Sequence, residues 1–353
     1  MKYLHIFWIS TLFLVGCNQP KKVINETVGT ELKFSTQISI EEKNGEIQIK
    51  SGGKTTIFDT EDLPIATAMV VPAAVNSYMD VLGLAEKIKG VSEPDYIYNE
   101  KIQSLIQQKK IEIIGNFNEL DIEKILMNKP DIFISTSNPN LAKFHAQLES
   151  EGIKIIYIDE YLEESPIGKA EYLKVFGKLF GKEKEANQLF QEVERNYMEI
   201  QNTIGKQKKN APKILSNQMY GDIWYLAGGK SYQANLIKDA GGKYIWESDE
   251  SSRTLNLSFE TVFEKAHDAD IWVNAGDFDS KAELLASYPN YAWFSAFKSG
   301  EIYNWSNRKS QTGANDYFEM GTVRPDWILK DLAAIFHPEL FPGHELYFYR
   351  KLE

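Results

Sequence analysis

A single cysteine, Cys17, stands in 353 residues, so no disulfide within the chain can hold this protein together. The fold must rest on burial instead, and aromatics at 12% of residues supply a substantial core. Histidine is also scarce. His5 falls in an N-terminal apolar run, and His145, His267, His337 and His344 are scattered, which speaks against a three-histidine zinc cage. Basic residues are in deficit: the net charge of −11 excludes nucleic acid as a natural partner and argues against a patch for anionic lipid. Beyond the N-terminal run, no apolar stretch approaches the roughly 20 residues needed to cross a bilayer. Catalytic signatures are missing as well. There is no G-x-S-x-G elbow and no H-E-x-x-H helix. Gly52-Gly53-Lys54-Thr55 and Gly228-Gly229-Lys230-Ser231 look like phosphate-loop fragments, but Gln48 and Trp224 stand where such a loop needs its first glycine. No resident metal, no cofactor and no enzymatic activity are expected.

What is present begins at the N-terminus. Lys2 precedes an apolar run over residues 3–16, the length of a signal-peptide core. Leu14-Val15-Gly16-Cys17 follows and resembles the lipobox of bacterial lipoproteins. The expectation is a signal peptide over 1–16, a diacylglycerol on the Cys17 thiol, and a polar tether over 17–31. The resulting protein would sit in the cell envelope on the periplasmic side, touching the membrane only through its anchor.

Residues 32–60 alternate apolar and polar around Asn44-Gly45, a strong hairpin signal because both residues tolerate positive φ. They predict a β-hairpin extension. From residue 61 to 164, short continuous apolar strands alternate with amphipathic helices, the pattern of a parallel sheet covered on both faces. Strands are expected over 65–71, 111–115, 131–134 and 154–158. Ser165 and Pro166 open a helical region over 165–205 as N-cap and first helical residue. Gly181 divides it, and the second segment of about 22 residues would run on the order of 33 Å, enough to cross between lobes. A second α/β unit fills 206–353. The fold class is therefore α/β: two Rossmann-like lobes of parallel sheet with flanking helices, joined by one long bridging helix.

One unit occurs in each lobe. Leu120-Asp121-Ile122-Glu123 leads through a short helix to Pro130-Asp131-Ile132-Phe133, and Leu257-Ser258-Phe259-Glu260 leads to Ala269-Asp270-Ile271-Trp272. An acidic residue in a first helical turn is favoured by the helix dipole, which accounts for either glutamate alone. The dipole does not account for the repetition of the whole unit. At these residues the chain resembles the iron-siderophore, haem and cobalamin periplasmic binding proteins of ABC importers. Leu82-Gly83-Leu84, Gly90-Val91, Asp239-Ala240-Gly241-Gly242 and the stretch 300–303 carry the same likeness. The ending, from Asn315-Asp316-Tyr317-Phe318-Glu319 to His337-Pro338-Glu339, resembles a Bacteroidetes-type lipoprotein subgroup.

That resemblance implies a monomer with its ligand, an iron or cobalt chelate, clamped between the lobes. Positions matched to the ligand rim are Ala73, Tyr96, Phe117 and Thr136 in the first lobe. In the second they are Tyr220, Trp224, Tyr225 and Arg253, with Trp305, Arg308 and Arg324 as weaker candidates. Aromatics would stack on the chelate and arginines would pair with its carboxylates. Trp224 stands out as the cleft residue, while Trp272 and Trp327 are assigned to the core. Glu123 and Glu260 would dock onto an ABC permease dimer carrying its ATPase subunits. The competing expectations are an extracytoplasmic enzyme processing metal chelates on the same scaffold, and a surface adhesin.

Overall fold

The computed structural model describes residues 31–206 and 211–353. Cys17, the expected signal peptide and most of the expected tether lie outside the described residues. Among the described residues no helix is long and apolar enough to cross a membrane.

Each lobe is built on four parallel strands in one topology. In the first lobe Ala68–Val70, Ile88–Val91, Ile132–Ser135 and Lys154–Tyr157 lie side by side in the order fourth, third, first, second. In the second lobe Lys213–Ser216, Lys243–Tyr244, Ile271–Val273 and Ile302–Asn304 repeat that order. A parallel fifth strand, Glu112–Ile113, extends the first sheet, and an antiparallel one, Arg350–Lys351, extends the second. In both lobes the aspartate that opens the third strand receives a backbone N–H from the start of the first. Thr67 N–H donates to Asp131 (2.8 Å) and Lys213 N–H to Asp270 (2.7 Å). The repeated sequence unit is thus a repeated tertiary contact.

The helices begin where the sequence signals them. Ser165 accepts the Gly168 N–H at the start of Pro166–Phe180, and Gly181 ends that helix at φ 68°. The following helix, Glu183–Gly205, is 23 residues long. It packs along its predecessor on one flank and along Pro325–Phe336 on the other. Gly177 allows the first contact, since a Cβ there would meet the Ala186 Cβ at 2.5 Å. One apolar core runs unbroken from Ile38 through these helices to Leu352, and a smaller cluster around Phe133 fills the outer face of the first sheet.

The expected hairpin gains a third strand. Ile38–Lys43, Glu46–Ser51 and Lys54–Asp59 form an antiparallel sheet. Asn44-Gly45 and Gly52-Gly53 turn with positive φ at all four residues. Gly52-Gly53-Lys54-Thr55, which looks like part of a phosphate loop, is simply the second of these turns. The sheet covers the edge strand Lys154–Tyr157: Thr56 Oγ1 donates to the Ile155 carbonyl (2.6 Å), and Ser51 Oγ accepts the Tyr157 N–H (3.3 Å).

In the second lobe the largest aromatic cluster joins Trp224, Trp272, Tyr291 and Phe294 at centroid separations of 5.0–5.6 Å. Trp224 is 0% exposed, and its Nε1 donates to the Ser216 carbonyl. Trp224→Ala is expected to lower unfolding free energy by about 3–5 kcal/mol through the cavity it leaves. Urea denaturation followed by circular dichroism measures this directly.

The lobes also meet through Glu319, which is buried and accepts the backbone N–H groups of Tyr98 and Asn99. Burial pushes its carboxyl up to about 8, with Asp316 and Asp80 adding to the rise against those two donors. A raised folded-state value means the folded protein holds the proton more tightly than the unfolded chain. The resulting stability is complete below the ordinary glutamate range and is lost as pH rises towards about 8. Wild type is therefore expected to weaken, relative to Glu319→Gln, as denaturation is repeated at rising pH between about 5 and 8. A difference between the two proteins that does not move with pH would contradict this.

Candidate functional site

In sheets of this topology the chain reverses between the first and third strands, and ligands gather beyond the carboxyl ends there. In the first lobe those ends lead to Ala73 and to Thr136-Ser137, and in the second to Asn217 and Asn274. A cavity of about 850 Å³ opens between the lobes on this side. Its first-lobe wall is the turn Glu160–Leu162 and the start of the helix carrying Lys169. Opposite stand Tyr225 on the strand Ile223–Ala227, Ser231 and Tyr232 at a helix start, and Arg253 on the loop before Thr254–Leu257. Tyr317, Phe318 and Thr322 close the floor.

The lining mixes aromatic rings with charges: Tyr161, Tyr225, Tyr232, Tyr317 and Phe318 stand beside Glu160, Glu163, Glu164, Lys169 and Arg253. Lys169 Nζ lies 4.2 Å from the centre of the Tyr232 ring, a cation–π contact that joins the two lobes. Burial lowers the Lys169 pKa, which Glu160 and Glu163 partly offset. Burial raises that of Glu160, which Lys169 partly offsets. Tyr317 stacks on Trp305 at 5.2 Å and packs edge-on against Tyr349, whose side chain its buried hydroxyl meets. A neighbouring cavity of about 700 Å³, lined by Phe117, Thr136 and Tyr161 among others, shares Tyr161 with the main one. Thr136 Oγ1 is buried without a partner among the described residues. Among the described residues no group of three or more His, Cys, Asp or Glu side chains is arranged to hold a metal ion.

The structure divides the expected ligand residues. Tyr225 and Arg253 line the main cavity, and Phe117 and Thr136 line its neighbour. Ala73, half-buried at the start of the helix Ala74–Val81, Tyr96, exposed on the turn Pro94–Tyr96, and Tyr220 line neither. Tyr220 is 81% exposed on the strand Met219–Tyr220. Trp224 is a correction: the expected cleft residue is a core residue. Along Ile223–Ala227 side chains alternate, and Trp224 and Leu226 face inward while Tyr225 faces outward. Of the weaker candidates, Trp305 supports Tyr317, Arg308 pairs with Asp316 (2.7 Å), and Arg324 is buried against Asp326. Trp272 is in the core, and Trp327 packs half-buried against Tyr347.

Residue-by-residue reasoning missed Glu160, Tyr161, Lys169 and Tyr232. Ser231 before Tyr232 is a capping signal that places Tyr232 in a first helical turn. Tyr317 and Phe318 lie inside the C-terminal stretch 315–319, so the sequence carried a signal for them too.

Glu123 and Glu260 occupy equivalent places. Each is exposed in the first turn of its helix, Ile122–Asn128 or Phe259–Ala266. Capping is done by others: Asp121 accepts the Lys124 N–H and Ser258 the Thr261 N–H.

Comparison with known proteins agrees with this architecture. A family model described as periplasmic binding protein matches residues 73–308. MJ0878, an uncharacterized lipoprotein of Methanocaldococcus jannaschii, is 28% identical over 289 residues, 81% of this chain and 67% of that protein. The high-affinity heme uptake system protein IsdE of Staphylococcus aureus is 25% identical over 168 residues, 45% of this chain and 55% of that one. Among solved structures, a possible iron-binding (periplasmic solute-binding) protein from Staphylococcus epidermidis aligns with a TM-score of 0.61 at 20% identity. It covers 78% of this chain and 99% of its own, a likeness of fold. With paired four-strand lobes, a cavity between them and a family match across most of its length, the chain belongs to the periplasmic binding protein family.

Proposed function

We propose that this protein captures a metal chelate (a haem, a ferric siderophore or a cobalamin) between its lobes and delivers it to an ABC permease with its ATPase subunits. The observation that carries the proposal is the cavity of about 850 Å³ walled by aromatic rings from both lobes. That volume suits a ligand of drug size or larger, and flat rings suit a planar or catecholate body. The names of IsdE and the Staphylococcus epidermidis structure point to haem and iron for those proteins, and they support the same class here. Arg253, on a wall with no other arginine, would meet an acidic group of the chelate. The protein would act outside the cytoplasm, tethered through Cys17, as a monomer and without catalysis.

Delivery would use both lobes at once. A permease dimer has two-fold symmetry, and the equivalent strands and helices of the two lobes present one glutamate each. Carboxylate–guanidinium pairing would make the contact directional, and exposed charges act chiefly on encounter and orientation.

Tyr225→Ala is expected to weaken chelate binding by about 1–3 kcal/mol, the scale of one buried aromatic contact. The readout is tryptophan fluorescence during titration with haemin, cyanocobalamin and ferric siderophores, and unchanged affinity for every chelate that binds would remove Tyr225 from the site.

The double variant Glu123→Ala, Glu260→Ala is expected to melt and bind ligand as wild type does, yet to fail in uptake through its permease. Normal uptake by that variant would sink the docking assignment.

A further inference from the structure

The cleft has an annex. A second cavity, about 540 Å³, lies between the N-terminal sheet and the first lobe. It meets the main cavity at Gln37 and Leu162, which line both, and the Thr136 cavity at Ser137. All of its walls except Ser137, Asp159 and Leu162 come from residues 35–55, ahead of the family-matched segment 73–308. These residues add a wall beside the main cavity.

The wall is anchored, not draped. Glu163, 1% exposed, accepts the backbone N–H groups of Thr36 and Gln37, at 2.9 Å on its Oε1. Glu171, 0% exposed, accepts those of Lys33, Phe34 and Ser35. At the far end the Gly52 turn presses on the first lobe, where a Cβ would meet the Ser137 Cβ at 2.6 Å.

The annex differs in chemistry from the cleft it joins. Hydroxyls of Ser39, Ser51, Thr55 and Ser137 and the amide of Gln37 line it. Its two lysines are already paired, Lys50 with Glu41 and Lys54 with Glu149, and Asp159 accepts the Ser137 N–H. Hydroxyls and amides both donate and accept, so they match a partner that does the same. An anionic arm would lose its hydration here without a free cation to replace it, since both lysines are already paired.

Resting on the chelate proposal, we infer that the annex is a second subsite, holding a hydroxyl- or amide-bearing arm without negative charge, on a chelate whose metal-bearing body lies between the lobes. A sugar, a nucleoside-like group or a peptide arm fits that description, and a bare planar chelate would leave the annex to water.

The test compares chelates that differ only in such an arm: a glucosylated ferric tris-catecholate against its plain form, and a ferric trihydroxamate carrying a glycinamide arm against its plain form. Each is titrated into wild type and into Thr55→Trp, a substitution at an exposed strand position that fills the annex. In at least one pair the armed chelate is expected to bind wild type about tenfold or more tighter, an advantage that Thr55→Trp abolishes. The arm-less partner should keep its affinity in the variant, which also shows that the main cleft is intact. No advantage for the armed chelate in either pair, or an equal loss for both members, overturns the subsite. Binding of no chelate at all to wild type overturns the chelate proposal, and the subsite with it.

Discussion

The structure depends on the packing of three helices at its waist. Pro166–Phe180 and Glu183–Gly205 run back to back, and Pro325–Phe336 closes the far side. Their apolar faces belong to one core that reaches into both sheets, with Phe176, Val193 and Leu332 all buried in it. Interiors packed to crystal-like density resist small displacements, so the waist holds the lobes at a set separation. The cleft is consequently a property of the folded chain and does not await a ligand. A preformed cleft suits a rigid guest, because less ordering has to accompany binding.

A second device recurs where the chain is irregular. Four buried carboxylates each hold a stretch of backbone that lies outside regular structure or at its edge. Glu171 takes the amides of 33–35, Glu163 those of 36–37, Glu319 those of 98–99 and Asp331 those of 347–349. Buried N–H groups without a partner are costly, and the two oxygens of one carboxyl group accept several at once. The N-terminal wall, the interlobe contact and the C-terminal strand are all secured in this way.

Symmetry and its breaking divide the work between the lobes. The four-strand order, the capping residues Asp121 and Ser258 and the strand-opening aspartates are duplicated. The cleft lining is not: Glu160, Tyr161 and Lys169 face Tyr225, Tyr232 and Arg253. What is shared suits a two-fold partner, and what differs suits an asymmetric ligand.

Much of this was legible in the chain itself, because local rules act locally. Asn44-Gly45, Ser165-Pro166 and Gly181 mark turns and helix ends through backbone conformations that few other residues favour. Continuous apolar runs marked the parallel strands, and the repeated Asp-x-Glu and Ser-x-Glu units marked the two lobes. Half of the expected ligand residues reached a cavity and half did not, and Trp224 shows why. Alternation along a strand tells which side chains share a face, but not which face meets the core. Only the arrival of Trp272, Tyr291 and Phe294 from distant segments decided that Trp224 turns inward and Tyr225 outward. The same holds for residues 33–37, the start of the alternating stretch, where only Phe34 is apolar. Their place beside the cleft was decided by Glu163 and Glu171, more than 120 residues away along the chain.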